Sequence, residues 1–170
     1  MINNNIKLKE NNFFLKKLSL EDFSKNYFNW FKDDEVRRFI KSRYNSRIEL
    51  IKNTNREIQK KNQIFFGIFS KKKKFHIGNV KFHNINLSKK TAFVGILIGE
   101  KKFRNKGYGR KAIKLGCDYL FKKLGILTFK LKVSHKNIIA IKSYIKNGFI
   151  IKKKINDEFL MYLNYKNNHF

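Results

Sequence analysis

The alternation of apolar and polar residues predicts that the chain begins with one strand and a group of helices. The strand is expected at residues 13–18, followed by a helix with Ser19 at its N-cap. A short helix after Asp33 and a longer one at residues 47–60 come next. The apolar positions expected to face inward recur at helical spacing: Leu20, Phe23, Tyr27, Trp30, Val36, Phe39, Ile40, Ile48, Ile51 and Ile58.

From residue 63 onward the pattern favours strands. Three are expected at residues 64–70, 75–83 and 91–98, with linkers short enough for antiparallel hairpins. The first and third are apolar on both faces, which predicts central strands covered on both sides. An amphipathic helix, a half-exposed strand at 127–133, a short helix after Asn137 and a closing hairpin of strands 149–155 and 158–165 follow. The chain contains no internal repeat.

The loop between the strand at 91–98 and the amphipathic helix is the most informative stretch. It contains two basic residues, Arg104 and Lys106, and then two glycines, Gly107 and Gly109, directly before the helix. Glycine allows close approach of the backbone to a bulky group, and the first N–H groups of a helix attract an anion. The stretch therefore indicates a pyrophosphate-binding loop, although a flexible turn with a solvated basic flank would show the same spacing.

The same glycines also satisfy the G-x-G-x-x-A pattern of dinucleotide-binding folds, but two features disfavour that interpretation. The first glycine of that pattern follows its strand almost directly, whereas a loop separates Ile98 from Gly107 here. The pattern also requires an acidic residue at the end of the next strand, which ends in Val-Ser-His-Lys at residues 133–136.

The charge of the chain limits the classes of partner. Forty basic residues against twelve acidic ones give a net charge of +28, which suits nucleic acid, an anionic surface or a polyphosphate ligand. A composition rich in Lys, Asn, Ile and Phe without proline is also what a very AT-rich genome would encode. The lysines are spread over nearly every segment, and no basic stripe with exposed aromatics stands out. We therefore expect no specific nucleic-acid partner.

Several other classes of site are disfavoured by the residues present. The apolar runs are much shorter than the ~20 residues of a membrane span, and residues 1–7 lack a signal-peptide core, so a cytoplasmic protein is expected. The single cysteine, Cys117, falls on an apolar helix face and is expected to be a buried thiol. The four histidines form no metal-binding pattern, so no metal is expected.

Two motifs in the predicted order of elements resemble the GNAT superfamily of acetyl-CoA-dependent N-acetyltransferases. The first, Arg/Gln-x-x-Gly-x-Gly/Ala, is present as Arg104-Asn-Lys-Gly107-Tyr-Gly109. The second, Asn-x-x-Ala-x-x-x-Tyr-x-x-x-Gly-Phe, extends from Asn137 to Phe149. The resemblance implies an α/β (α+β mixed) GNAT fold, with a mixed, mostly antiparallel sheet of about seven strands and helices on both faces. It covers one domain at residues 13–165, between a polar arm at 1–12 and a tail at 166–170.

The resemblance also implies a binding site for acetyl-CoA as cosubstrate. The strand end at Leu97, Ile98 and Gly99 would pair with the pantetheine arm and polarise the thioester carbonyl. Asn137 would contact the pantetheine, or serve as an ordinary N-cap. The pyrophosphate would be held by backbone N–H groups, with charge from Arg104 and Lys106, across the loop of Phe103, Arg104, Asn105, Lys106, Gly107, Tyr108 and Gly109.

By the same resemblance, Tyr144 would protonate the departing thiolate. A phenol with a pKa near its ordinary ~10 is protonated at neutral pH and can act as this acid. The alternative for Tyr144 is a core aromatic residue. The general base is left open between Glu100 directly after the strand, His83 at the end of the preceding strand, and water.

The expected acceptor is a small-molecule amine, because residues 27–43 resemble the opening of N-acetyltransferases that modify nucleotide-linked amino sugars. Trp30, Arg37 and Arg43 are the candidate acceptor-binding residues, with the arginines placed to bind a diphosphate. Where those relatives have Asp-Pro-Glu-Val, this chain has Asp34 in place of the proline. There are two alternatives. One is an acetyltransferase of protein or peptide N-termini, and the other is a basic nucleic-acid-associated protein that has the same fold but no acetyltransferase activity. The protein is expected to be a monomer or a homodimer.

Overall fold

The computed structural model describes residues 6–40, 42–72 and 75–165. Within these residues the chain forms one mixed sheet of eight strands, in the order β1-β2-β3-β4-β5-β6-β8-β7. Only β5 and β6 pair in parallel, and the other neighbours are antiparallel. The strands are β1 (Lys7–Lys9), β2 (Phe13–Lys17), β3 (Ile64–Ser70), β4 (His76–Asn86), β5 (Thr91–Ile98), β6 (Thr128–Ser134), β7 (Ile150–Ile155) and β8 (Glu158–Asn164).

This architecture confirms the expected fold class and all seven expected strands. The eighth strand, β1, lies in the segment expected to be a polar arm, where it pairs with β2 at the sheet edge. Residues 1–5 of that arm and the tail at 166–170 lie outside the described residues.

In the described residues, five α-helices lie on the two faces of the sheet. Tyr27, Trp30 and Leu50 from the N-terminal helices form a buried cluster with Phe65 and Leu97 on one face. The opposite face packs against the C-terminal helices, through residues that include Ala112, Ile113, Cys117, Ile141 and Tyr144. The helices are α1 (Lys25–Trp30), α2 (Asp34–Arg37), α3 (Arg47–Gln59), α4 (Tyr108–Leu124) and α5 (Ile138–Ile145).

The N-terminal helical region differs from the expected pattern. Ser19 begins only a one-turn 3-10 helix, because the Asp22 carboxylate accepts from both the Ser19 N–H and its hydroxyl, each at 2.9 Å. The α-helix then starts afresh, with the Ser24 hydroxyl accepting from the Tyr27 N–H. As a result Leu20 is 53% exposed instead of facing inward. Phe39 and Ile48 were also expected inward and are exposed.

The prediction that both faces of β5 are covered is wrong. Ala92 and Val94 are buried against the C-terminal helices, but Thr91, Phe93 and Gly95 on the other face are only half-buried. The reason is that the N-terminal helices pack over the β2–β5 side of the sheet and stop near Leu97. Cys117 is a buried free thiol, as expected, and burial raises its pKa well above the usual range.

Candidate functional site

The parallel strands β5 and β6 pair only at their beginnings and then separate. Their pairing covers residues 91–93 of β5 and 128–130 of β6. Beyond Phe93, β5 continues to pair with β4 alone, and β6 continues with β8 alone. The backbone groups of residues 94–98 that face β6 are therefore available to a ligand that lies in the wedge as an additional strand would.

Helix α4 begins at the mouth of this wedge. Its first intrahelical bond runs from the Lys111 N–H to the Gly107 carbonyl at 3.0 Å, so the N–H groups of residues 108–110 have no acceptor inside the helix. Gly107 has a φ of +78°, which few residues with a side chain adopt, and this conformation starts the helix without a side-chain cap. The arrangement provides fixed backbone donors and the positive end of a 17-residue helix for an anion.

The end of β5 is held rigidly. The N–H groups of Gly99 and Glu100 both donate to the Ile77 carbonyl, at 3.0 and 3.1 Å. A Cβ atom at residue 99 would lie 1.9 Å from the Trp30 ring, so only glycine allows the indole to pack under the strand end. These two N–H groups are engaged within the protein, and they fix the end of β5 before any ligand binds.

Helix α5 brings the second motif to the same place. The Asn137 side chain caps this helix by accepting from the Ala140 N–H at 3.2 Å. One turn after Tyr144, the Asn147 amide donates to the Arg110 carbonyl in the first turn of α4, at 3.1 Å. Tyr144 is 8% exposed and packs on Phe149, and its burial raises the pKa of the phenol to about 12. The Asn147–Arg110 bond therefore holds the C-terminal end of α5 against the first turn of α4.

The Arg104 side chain does not provide the expected positive charge for a pyrophosphate at the glycine loop. Its guanidinium donates to the Ile98 and Gly99 carbonyls at 3.1 and 2.5 Å, and to the carboxylates of Asp33 and Glu35 at 2.9 and 2.6 Å. These four bonds use most of its five donors, so the side chain connects α2 to the end of β5 instead of providing charge for a phosphate. The backbone of the loop and the exposed Lys106 are unaffected by this correction.

The same contacts determine the ionisation of Asp33. Burial by itself would raise the pKa of this carboxyl, but hydrogen bonds from Arg104 and the Glu35 N–H, together with the charges of Arg104 and Lys101, outweigh it. The net result is a pKa below the ordinary value. Asp33 is therefore an ionised partner that keeps Arg104 in position.

A cleft of about 790 Å³ lies on the face of the sheet covered by the N-terminal helices. Residues 95–97 of β5 and Asn79 of β4 form its floor, and residues of α1, α3 and the loop after α2 form its walls. Glu57 is its one lining carboxylate among the described residues, beside the basic side chains of Arg43, Arg56, Lys60 and Lys81. Burial alone would raise the pKa of Glu57. The hydrogen bonds and charges of Lys60 and Lys81 outweigh this effect and hold the pKa below its ordinary value. The cleft is therefore net positive.

A buried polar network supports the floor of the cleft. The His76 Nε2 lies 2.8 Å from the Gly78 carbonyl and 2.7 Å from the Asn79 Oδ1. Tyr27 stacks on the His76 ring with 5.5 Å between centroids, and its hydroxyl bonds to Asn79 and Thr54. Burial raises the Tyr27 pKa to about 12 and lowers that of His76, so both groups are neutral near pH 7.

The two side chains expected as general bases are not among the residues that line this cleft. Glu100 accepts from the Trp30 indole N–H at 2.9 Å and borders a smaller hollow of about 520 Å³. His83 lies on β4, where it pairs with Phe93 of β5. It is four residues from Asn79, or about 13 Å along the strand. Burial lowers the pKa of His83, with the Lys81 charge adding to this shift.

The three side chains expected to bind the acceptor, Trp30, Arg37 and Arg43, lie in three different environments. Trp30 is buried in the core and lies under Gly99, not open to the cleft. Arg43 does line the cleft, but its guanidinium donates to the carbonyls of residues 37, 40 and 42 and closes its own loop. Arg37 is exposed in the last turn of α2. These contacts correct the expectation for Trp30 and Arg43, whereas the role expected of Arg37 stays a prediction.

Sequence reasoning missed Asn79, Glu57, Arg56 and Lys81 as cleft residues. Asn79 carried a usable signal, since it is a lone amide between apolar residues of a strand and buried amides need partners. The other three lie on polar faces that the sequence cannot distinguish from solvent.

A sheet that parts between two parallel strands, with a helix N-terminus at the mouth of the wedge, is suited to an extended ligand that carries an anionic group. The model of the acetyltransferase (GNAT) domain family matches residues 12–150, and the chain belongs to this family. It is an N-acetyltransferase, and its acetyl donor is acetyl-CoA. Among curated protein sequences, none matches the chain.

Solved structures of acetyltransferases share this fold. The spermidine N-acetyltransferase of Vibrio cholerae, in complex with CoA and spermine, is 24% identical with a TM-score of 0.79, covering 91% of this chain and 96% of that one. The ribosomal-protein-S5-alanine acetyltransferase of Vibrio fischeri is 17% identical with a TM-score of 0.80, covering 95% and 97%. A GNAT acetyltransferase of Bacillus anthracis is 16% identical with a TM-score of 0.81, covering 95% and 99%.

The described residues include no helix with the length and apolar character needed to cross a membrane. Nor do they include a group of three or more His, Cys, Asp or Glu side chains placed to bind a metal ion.

Proposed function

We propose that this acetyltransferase modifies a primary amine on an anionic small molecule, and that a nucleotide-linked amino sugar is its acceptor class. The observation that carries the proposal is the charge of the cleft, where four basic side chains surround one carboxylate that two of them already neutralise. An acceptor with several ammonium groups, such as spermine, would meet like charges there. A diphosphate would meet opposite ones.

On the donor side, the N–H groups at the start of α4 would hold the pyrophosphate, and the free edge of β5 would align the pantetheine. The fixed strand end at residues 97–99 would polarise the thioester carbonyl, and the acceptor amine would attack from the cleft. Acetyl-CoA supplies an activated acyl group with a thiolate leaving group.

Tyr144 would donate its proton to that thiolate. The burial that raises its pKa to about 12 keeps the phenol protonated across the physiological range, so it is always ready as an acid.

The proton of the amine would leave through water in the cleft. The cleft carboxylate, Glu57, is a weak base because its lysine partners lower its pKa, and neither Glu100 nor His83 lines the cleft. Glu100→Gln and His83→Gln variants should therefore keep most of the wild-type kcat. A large fall in kcat for one of them, with unchanged stability, would identify it as the base instead.

The test is a thiol-release assay with acetyl-CoA and four acceptors: a bare amino sugar, its nucleotide-linked form, spermidine and a peptide with an N-terminal alanine. We expect kcat/KM to be highest for the nucleotide-linked sugar and lowest for spermidine. Fastest turnover of spermidine would show that the charge argument is wrong. Fastest turnover of the peptide would support the second candidate, an N-terminal acetyltransferase, which the fold shared with the Vibrio fischeri enzyme favours.

A further inference from the structure

The half of the sheet beyond the acceptor cleft has one open face. Along β6 and β8 the side chains alternate, and Phe129, Leu131, Val133, Met161 and Leu163 are buried against α4 and α5. The alternate residues of β6 are half-buried or exposed. Among the described residues, the cluster formed by the N-terminal helices includes no residue of β6, β7 or β8.

Four side chains form a continuous row across this open face. His83 pairs with Phe93, Phe93 with Lys130, and Lys130 with Tyr162, each on a neighbouring strand. The contacts agree with this register: the His83 and Phe93 ring centroids are 5.6 Å apart. The Lys130 Nζ lies 6.0 Å from the Phe93 ring centroid and 5.1 Å from that of Tyr162. All four side chains are half-buried and so remain accessible.

The row is continuous with the acceptor cleft. Phe93, Gly95 and Leu97 alternate on β5 and share one face, and the last two line the cleft. The four residues from Leu97 to Phe93 span about 13 Å. Between them lies Gly95, where an added Cβ would meet no atom within 4 Å. An acceptor in the cleft could therefore extend over Gly95 to the row without obstruction.

We propose that this row is the subsite for the nucleoside phosphate part of the acceptor. It rests on the proposed function and takes over the role expected of Arg43, whose guanidinium bonds to carbonyls of its own loop. Aromatic faces bind a nucleobase by stacking, and an ammonium between them pairs with a phosphate. The charge of the neighbourhood is complementary to such a ligand, because Lys132 and Lys153 are exposed on the same face and Lys81 lies at the edge of the cleft. The amine-bearing sugar then occupies the cleft and the base lies on the row.

The first measurement is a calorimetric titration of uridine diphosphate into the enzyme saturated with coenzyme A, so that the donor site is filled. We expect binding to weaken about tenfold in Phe93→Ala, by loss of stacking, and to become less sensitive to salt in Lys130→Met. The matched control is Phe14→Ala, since Phe14 is also a half-buried strand residue under a lysine, with the Lys7 Nζ 4.3 Å from its ring centroid. Equal affinities in Phe93→Ala and Phe14→Ala would overturn the proposal.

The second measurement is the ratio of kcat/KM for the nucleotide-linked sugar to that for the bare sugar. Gly95→Val should lower this ratio several-fold while leaving the melting temperature unchanged, because the added side chain enters open space. An unchanged ratio in both Gly95→Val and Phe93→Ala would overturn the subsite while leaving the acetyltransferase function intact.

If the wild type acetylates no amino sugar but still binds uridine diphosphate through Phe93, the acceptor assignment fails and the nucleotide subsite stands. Sedimentation of these variants and of Tyr162→Ala tests whether a second copy covers the face. We expect their mass to be unchanged, and a dimer that dissociates in Tyr162→Ala would identify the row as an interface instead.

Discussion

The donor wedge and the acceptor cleft lie on either side of β5 and are built in different ways. The wedge consists mostly of backbone groups from one stretch of chain, the free edge of β5 and the first turn of α4. The cleft consists of side chains from helices and strands that are distant in sequence, among them Tyr27, Glu57 and Asn79. In the binding mode that we propose, the ligand common to the family is held by the backbone, while the acceptor, which varies, is left to side chains.

One side chain joins the two regions. Arg104 belongs to the donor motif, but it bonds both to the end of β5 and to Asp33 and Glu35 of the acceptor side. The donor strand and the wall of the acceptor side are therefore mechanically connected. The predictions below separate the contributions of the two regions, beginning with the largest expected effect.

The largest effect is expected at the donor wedge from Tyr144→Phe. This change keeps the ring and its contact with Phe149 and removes only the hydroxyl. We expect kcat to fall about a hundredfold, within the usual range for one acid–base group, with little change in melting temperature. The Tyr144 pKa of about 12 also makes a prediction for the wild type: ionisation of this phenol should not lower kcat between pH 8 and 10. A fully active variant would make Tyr144 a core residue only.

A smaller effect is expected from breaking the connection between the regions. Arg104→Gln leaves Asp33, whose side chain is 12% exposed, without its main partner and frees two strand-end carbonyls. We expect unfolding in urea to show a loss of about 2 kcal/mol, and KM to rise for both substrates. Glu35→Gln is the control, because the Glu35 side chain is 71% exposed and its loss should cost less than about 1 kcal/mol. A rise in KM for acetyl-CoA alone would mean that Arg104 serves only the donor.

The smallest effect is expected at the buried network under the cleft. Burial lowers the pKa of His76, so the folded protein binds fewer protons than the unfolded chain as pH falls below the ordinary value of 6.5. The stability that this neutral histidine provides is present above pH 6.5 and is lost as pH falls through its folded pKa, by up to about 1.4 kcal/mol per pH unit. His76→Gln should flatten the curve of melting temperature between pH 5 and 7. A curve parallel to the wild type would show that His76 is not the responsible group.

The sequence by itself determined seven of the eight described strands, the two motifs and the backbone donors at the start of α4. These features depend on local patterns: alternation of apolar residues, glycines before a helix, and an asparagine that caps the next one. Backbone donors at a helix start follow from the chain near them, so the motif was enough to place them.

Only the tertiary structure decided the partners of side chains and the cover of the sheet. Arg104, Arg43 and Trp30 were expected to contact ligands, but the folded chain supplies carbonyls, carboxylates and Glu100 as their partners. The apolar sequence of β5 likewise predicted cover on both faces, whereas the N-terminal helices stop near Leu97 and leave Phe93 half-exposed. The direction of a long side chain and the reach of a helix both depend on residues far away in sequence, which a local pattern does not contain.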